Sequence, residues 1–251
     1  MAESACGGIE EKMIHLFINY FNHYIKFNTI TNIMITTNEL TGESCHIGYY
    51  PGYLSDDFIQ KAHYYCKTTP QYKGGLSGWG KPIPRLQNWF QEDGIAFSHK
   101  WKTDFDRWKA DKYDVKLSVI QEEIREKVLE LGFSGISPFN SCLINYYRNG
   151  QDSIKPHFDS MDLFGPEPFI CILSLGARRE IVFKRRSYNP DNPKSLRLDP
   201  QAKHLECRIR LEEGSLLIMS GATQKYYQHE IVKEEGVDER WSMTFRHFLV
   251  D

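Results

Sequence analysis

The chain has 251 residues, enough for one large domain or two small ones with a sizeable core. A hydrophobic fraction of 41% and a charged fraction of 25% are ordinary for a soluble globular protein. The net charge of −2 excludes a global pull toward nucleic acid or an anionic membrane, so binding to a polyanion requires a local basic patch.

The first 48 residues read as an extension packed on the main domain, with no function to be read from them. The MAESACGGIEEK start is acidic and polar and lacks the basic-then-apolar order of a signal peptide. Ile14, Phe17, Ile18, Phe21 and Ile25 recur at helical spacing, and Thr29–Thr37 is β-branched like a strand. His23, Lys26 and several Asn interrupt the apolar run Leu16–Ile35, so no membrane span is expected. Cysteines at 6, 45, 66, 142, 171 and 207 form no C-x-x-C pair and no disulfide framework. Reduced thiols, in a cytoplasmic or nuclear protein, are the expectation.

Ser55 or Asp56 can cap a helix reaching about Cys66. The Gly- and Pro-rich stretch GGLSGWGKPIPR then predicts a long loop over 69–85. Asn88–Trp101 reads as an aromatic hairpin turning at Glu-Asp-Gly. A second helix is predicted over Val115–Leu131, with Leu117, Ile120, Ile124, Val128 and Leu131 on one stripe and Gly132 just past its end. From residue 141 onward the pattern switches to short strands divided by turn signals. They are Cys142–Tyr147, Ile154–Asp159, Phe169–Leu175, Ile181–Lys184, Leu205–Leu211, Ser215–Met219, Tyr226–Val232 and Trp241–Phe248. That order predicts a sandwich or jelly roll, with residues 185–203 as an insertion.

His157-Phe158-Asp159 lies in one of these strands, where side chains two apart share a face. An imidazole and a carboxylate then converge, and His229, well downstream, is the candidate third ligand. Two histidines and one carboxylate with open positions left over form the facial triad of non-haem iron(II) oxygenases. His204-Leu205-Glu206 is a rival triplet beside the insertion. Near the C-terminus Arg240, Ser242, Thr244 and Arg246 alternate with Trp241, Met243, Phe245 and His247. Either the polar set faces a cavity that needs an acidic ligand, or both arginines lie exposed on an edge strand. Asn145 and Tyr147 also alternate onto one face.

NSCLINYYRNGQDSIKPHFD, MSGATQKYYQHEIVK, RWSMTFRHF and PRLQNWF together resemble the AlkB family of iron(II)- and 2-oxoglutarate-dependent dioxygenases, over roughly residues 48–251. The resemblance implies an α+β chain: a double-stranded β-helix (jelly roll) with supporting N-terminal helices and a nucleotide-recognition lid at about 69–103, in a domain spanning 49–251. It implies Fe(II), with 2-oxoglutarate and O2 as cosubstrates, and His157, Asp159 and His229 as the metal ligands. Arg240 with Tyr147 would hold the distal carboxylate of 2-oxoglutarate; Arg246 and Asn145 would serve its keto-acid end. Ser242 stands where the family has Asn. The family oxidises an alkyl group, usually on a nucleobase, and releases succinate, carbon dioxide and an aldehyde.

The implied partner is alkylated DNA or RNA, met by a monomer without a membrane. Trp79, Phe97 and His99 are candidates to stack on an extruded base, and Arg85 to contact it. Asp162 is the candidate acid, because Met161 stands where repair members place one. Arg178-Arg179 and Lys184-Arg185-Arg186 would supply the local basic patch. A protein or small-molecule substrate, or a silent binding module, remains open.

Overall fold

A computed structural model describes residues 32–37, 41–69, 72–76, 80–92, 110–203 and 206–249. The expected helix around Ile14–Ile25, and Trp79, Phe97, His99 and His204, lie outside them. The described residues form two facing antiparallel-rich sheets with two helices on the outer side of the larger one, a jelly roll. The large sheet runs β1 (Asn32–Thr37), β2 (Ser44–Tyr50), β10 (Leu216–Gly221), β7 (Ile170–Gly176), β12 (Arg240–Arg246), β5 (Ser141–Tyr147), β3 (Leu86–Gln91), β4 (Asp111–Lys112). The small sheet runs β6 (Ile154–His157), β11 (Tyr227–Ile231), β8 (Arg179–Arg185), β9 (Glu206–Leu211).

The alternation in β12 decides the architecture. Trp241, Met243 and Phe245 turn outward into a core shared with Phe58, Ala62 and Tyr65 of α1 (Asp56–Thr68) and Leu117, Ile120, Ile124 and Val128 of α2 (Val115–Glu130). Each such buried side chain contributes roughly 1.5–3 kcal/mol. The opposite set, Arg240, Ser242, Thr244 and Arg246, points between the sheets, and every residue of β12 is buried. β12 is thus a central strand and not an edge. A second core, with Ile172, Ile181, Phe183, Leu217 and Ile231, fills the space between the sheets.

Both helices start on the expected side chains. Ser55 Oγ accepts from Phe58 N at 3.3 Å, and Asp114 Oδ1 accepts from Leu117 N at 2.8 Å. Gly132 follows α2 at φ +91°, a conformation that costs glycine little.

Four expectations are corrected. The boundary near residue 48 falls inside β2, which pairs along its whole length with β1 and β10, so this part of the extension is built into the large sheet. β3 starts at Leu86 and is flanked by β5 and β4; the second arm of the expected hairpin lies outside the described residues. β6 stops at His157, because its last pairing with β11 is His157 opposite His229; Asp159 stands beyond the strand.

The fourth concerns the basic patch, which is largely internal or neutralised. Arg179 is fully buried and donates to the carbonyls of Asn149, Asp152 and Val232. Arg186, also buried, donates to the carbonyls of Lys225, Pro193, Ser195 and Gln224, tying the 186–203 insertion to α4 (Thr223–Tyr226). Lys184 is held by Glu206 and Glu230, and Arg185 by Asp199. A run of cations in sequence carries no information about whether backbone carbonyls will surround it.

Candidate active site

Register builds the polar wall of the inter-sheet space. Across β12, Arg240 lies opposite Tyr147, and Ser242 lies between Asn145 and Ser174. Residues directly opposite on neighbouring strands share a face. Arg240 is 1% exposed, yet among the described residues only Ser174 Oγ accepts from it, at 2.9 Å. Its Nε and Nη1 are buried without hydrogen-bond partners, and its guanidinium lies 5.1 Å from the Tyr147 ring. Burial pushes its pKa down. A buried cation with idle donors and no facing carboxylate is costly unless an anion joins it. Arg246 has its anion: Nη2 donates to Asp159 Oδ1 at 2.7 Å.

The small sheet supplies the imidazoles. His157 and His229 are cross-strand partners with ring centroids 4.3 Å apart. His157 Nδ1 lies 2.9 Å from the Lys155 carbonyl, which can only accept, so Nδ1 carries the proton and Nε2 presents its lone pair. Burial lowers the pKa of His157 and pushes His229 down to about 3, so both rings are neutral. For Asp159, burial raises the pKa, but the charge and hydrogen bond of Arg246 hold it down and the carboxyl stays ionised. The Asp159 amide donates to Gln224 Oε1 at 2.8 Å, which fixes the residue beyond the end of β6. Phe158, between the two, is stacked by the Arg186 guanidinium at 3.7 Å.

One cavity of about 290 Å³ unites these groups. His157, Asp159, His229, Asn145, Tyr147, Arg240, Ser242 and Arg246 all line it, as does Arg85, whose Nε donates to Asn145 Oδ1 at 2.8 Å. Asp162 does not. It sits on α3 (Met161–Phe164) with its carboxylate 3.8 Å from exposed Lys194, so the expected acid faces outward. Trp79, Phe97 and His99 are outside the described residues, as is His204 of the rival triplet; Glu206 is engaged by Lys184 and Arg208. The lining also includes Trp89, Ser160 and Phe164. Ser174 and Gln224 went unread in the sequence. A lone Ser inside the apolar run Ile170–Leu175 was a usable signal for the first, whereas nothing local marks Gln224.

Among the described residues no three His, Cys, Asp or Glu donors converge at metal-bonding spacing. The donor chemistry nevertheless fits iron(II). Two neutral imidazoles stand beside an ionised carboxylate, and Asp159 Oδ2 is buried without a partner. The idle donors of Arg240 likewise fit a ligand carboxylate.

The comparisons agree with this reading. The model of the 2OG-Fe(II) oxygenase superfamily matches residues 46–246. The alpha-ketoglutarate-dependent dioxygenase alkB homolog 3 of Mus musculus is 29% identical over 209 residues, covering 80% of this chain and 66% of that protein. The Rattus norvegicus homolog 3 is 31% identical, covering 80% and 64%. The DNA oxidative demethylase ALKBH2 of Arabidopsis thaliana is 32% identical over 124 residues, covering 45% and 39%. The chain spans just under two thirds of the length of the first of these relatives. Two solved structures share its fold. OsALKBH1 has a TM-score of 0.52 at 14% identity, over 80% of this chain and 97% of that one. The alpha-ketoglutarate-dependent epimerase SnoN has a TM-score of 0.52 at 12% identity, over 80% and 78%. No helix among the described residues is long and apolar enough to cross a membrane. The chain belongs to the 2OG-Fe(II) oxygenase superfamily, within its AlkB family.

Proposed function

We propose that the chain is an iron(II)- and 2-oxoglutarate-dependent dioxygenase that demethylates alkylated bases in DNA or RNA. The observation that carries this reading is one cavity holding both a neutral His157–His229 pair beside Asp159 and a buried guanidinium, Arg240, with no ion-pair partner among the described residues. His157, Asp159 and His229 would hold iron(II). Arg240, with Tyr147, would take the distal carboxylate of 2-oxoglutarate, and Arg246 and Asn145 its keto-acid end. Ser242, on the same face, would contact the bound acid.

When bound, iron with O2 would supply the oxidant. One oxygen atom enters succinate as 2-oxoglutarate loses CO2, and the other enters a methyl C–H bond. The hydroxymethyl group would then leave its nitrogen as formaldehyde, its hydroxyl proton passing to that nitrogen of a neutral base or to solvent from a cationic one. The protein's part is to orient and to exclude water. Gln224 and Arg246 fix Asp159 from two sides, so its free oxygen keeps one direction. The Nδ1 bond of His157 fixes its tautomer. Trp89 and Phe164 wall the cavity with ring surface. The name of the relative DNA oxidative demethylase ALKBH2 supports a nucleic-acid substrate; a lid over residues 69–103 that receives the base, and action as a monomer in the cytoplasm or nucleus, are part of the same proposal.

The test is succinate and formaldehyde release from methylated oligonucleotides with iron(II), 2-oxoglutarate and ascorbate. His157→Ala and Asp159→Ala should each abolish both products, and His204→Ala should leave them. Loss from His204→Ala would move the metal to the rival triplet. Succinate without formaldehyde from any oligonucleotide would shift the substrate to a protein or small molecule.

A further inference from the structure

The cavity is positively charged, and its charges are already allotted. Among the described residues Asp159 is the one carboxylate on its lining, and Arg246 holds it at 2.7 Å. Arg240 is answered by 2-oxoglutarate in the reading above. Arg85 remains. Its Nε is bound to the neutral Asn145 amide, and no carboxylate of the described residues lies in ion-pair reach of it. The nearby Asp152 is taken by Arg148, through Nε and Nη2, both at 2.8 Å. Ser160, which follows Asp159 on the lining, is uncharged, and the carboxylate of Asp162 points away toward Lys194. Iron(II) and 2-oxoglutarate carry opposite charges of equal size, so adding both leaves the sum of Arg85, Arg240, Arg246 and Asp159 unchanged. The balance therefore stays positive with both in place.

A cation entering this positively lined cavity is repelled. A neutral base with a carbonyl oxygen can instead accept a hydrogen bond from a guanidinium on that lining. We propose that the preferred target is an uncharged N-methylated base flanked by carbonyl oxygen, of the 3-methylthymine or 1-methylguanine type, with Arg85 donating to that oxygen. Bases that methylation turns into cations, such as 1-methyladenine and 3-methylcytosine, are disfavoured. Arg85 is then a specificity-determining residue. The inference rests on the demethylase reading and narrows it.

The experiment uses the full chain with iron(II), 2-oxoglutarate and ascorbate on single-stranded oligonucleotides of one sequence, each carrying one of the four bases. Formaldehyde release is expected to give kcat/KM at least tenfold higher for the two neutral bases. Arg85→Gln should lower that ratio mainly through the KM of the neutral bases. Ser160→Asp should raise turnover of the cationic bases. Ser160 caps α3 without a side-chain bond, so an aspartate there is compatible with the helix start. Equal or faster turnover of the cationic bases by the wild-type chain overturns the charge argument and leaves the demethylase reading standing. No formaldehyde from any oligonucleotide, with 2-oxoglutarate still converted to succinate, overturns both.

Discussion

Arg240 is a buried charge with no ion-pair partner among the described residues. It is 1% exposed, and two of its nitrogens are idle. Before an anion arrives, the residue costs stability; afterwards it contributes a charge-assisted bond worth about 1.5–3 kcal/mol. Arg240→Met keeps the volume and removes the charge. The variant should melt above the wild type without 2-oxoglutarate. It should also lose most of the stabilisation that 2-oxoglutarate gives, with the KM for the cosubstrate rising roughly 10- to 100-fold. Paired thermal melts with and without 2-oxoglutarate decide this, and an Arg240→Met chain that melts well below the wild type refutes it. Arg240 was legible in the sequence because a strict two-residue alternation put it on the face of Ser242 and Arg246. Arg179 and Arg186 were not, since most of their partners are backbone carbonyls that every residue type carries.

At the scale of elements, the eight strands after residue 141 were legible to within one or two residues in most cases, because each has one apolar face and turn residues at its ends. The exit of Asp159 from β6 was not. A strand ends where its partner stops pairing, and β11 sets that limit from more than 60 residues away. The loop is held instead by α4, through Gln224 Oε1. Gln224→Ala should weaken iron(II) affinity about tenfold, since groups that orient a metal ligand typically contribute that much, with the melting temperature moving little. Titration of the variant with iron(II) under anaerobic conditions measures it, and unchanged affinity would remove Gln224 from the site.

A second contact ties the same helix to the start of β2. Glu43 accepts from Lys225 Nζ at 2.6 Å and from Tyr226 Oη at 2.5 Å, and these bonds pull its pKa down to about 2 from 4.5. A depressed carboxyl stabilises the fold above its unfolded pKa and loses that contribution as pH falls toward the folded value. The stability gap between wild type and Glu43→Gln should therefore be full at pH 7 and shrink between pH 4.5 and 2. Partial exposure keeps it modest. Urea melts across that range would show a constant gap if Glu43 were merely solvated.

For the whole molecule, the burial of Arg179 and Arg186 leaves Arg178 as the one largely exposed cation of the 178–186 hairpin, so most of the affinity for nucleic acid must come from elsewhere. Arg179→Ala should unfold the chain more than it weakens oligonucleotide binding. Three carbonyls lose a charged donor, and a cavity opens under Tyr147, for a loss of about 3 kcal/mol or more. A variant that keeps its melting temperature but binds oligonucleotide poorly would restore the surface reading. Gly150, in the turn between β5 and β6, shows the same tightness: a Cβ there would stand 1.6 Å from the Glu234 carbonyl oxygen. The spacing of the two ligand-bearing strands therefore depends on a residue without a side chain.

β12 lies between β7 and β5, in the interior of the large sheet, yet it is built from residues 240–246. Its neighbours are complete some 65 to 95 residues earlier in the chain. During synthesis those two strands must wait with open edges until the ribosome has released residue 246 and the chain beyond it. Closure of the sheet, the burial of both arginines and the capture of Asp159 then fall in a single late event. Such long-range ordering slows folding and exposes unpaired edges meanwhile. A nascent chain arrested before residue 240 would be a substrate for chaperones, with no metal site to speak of.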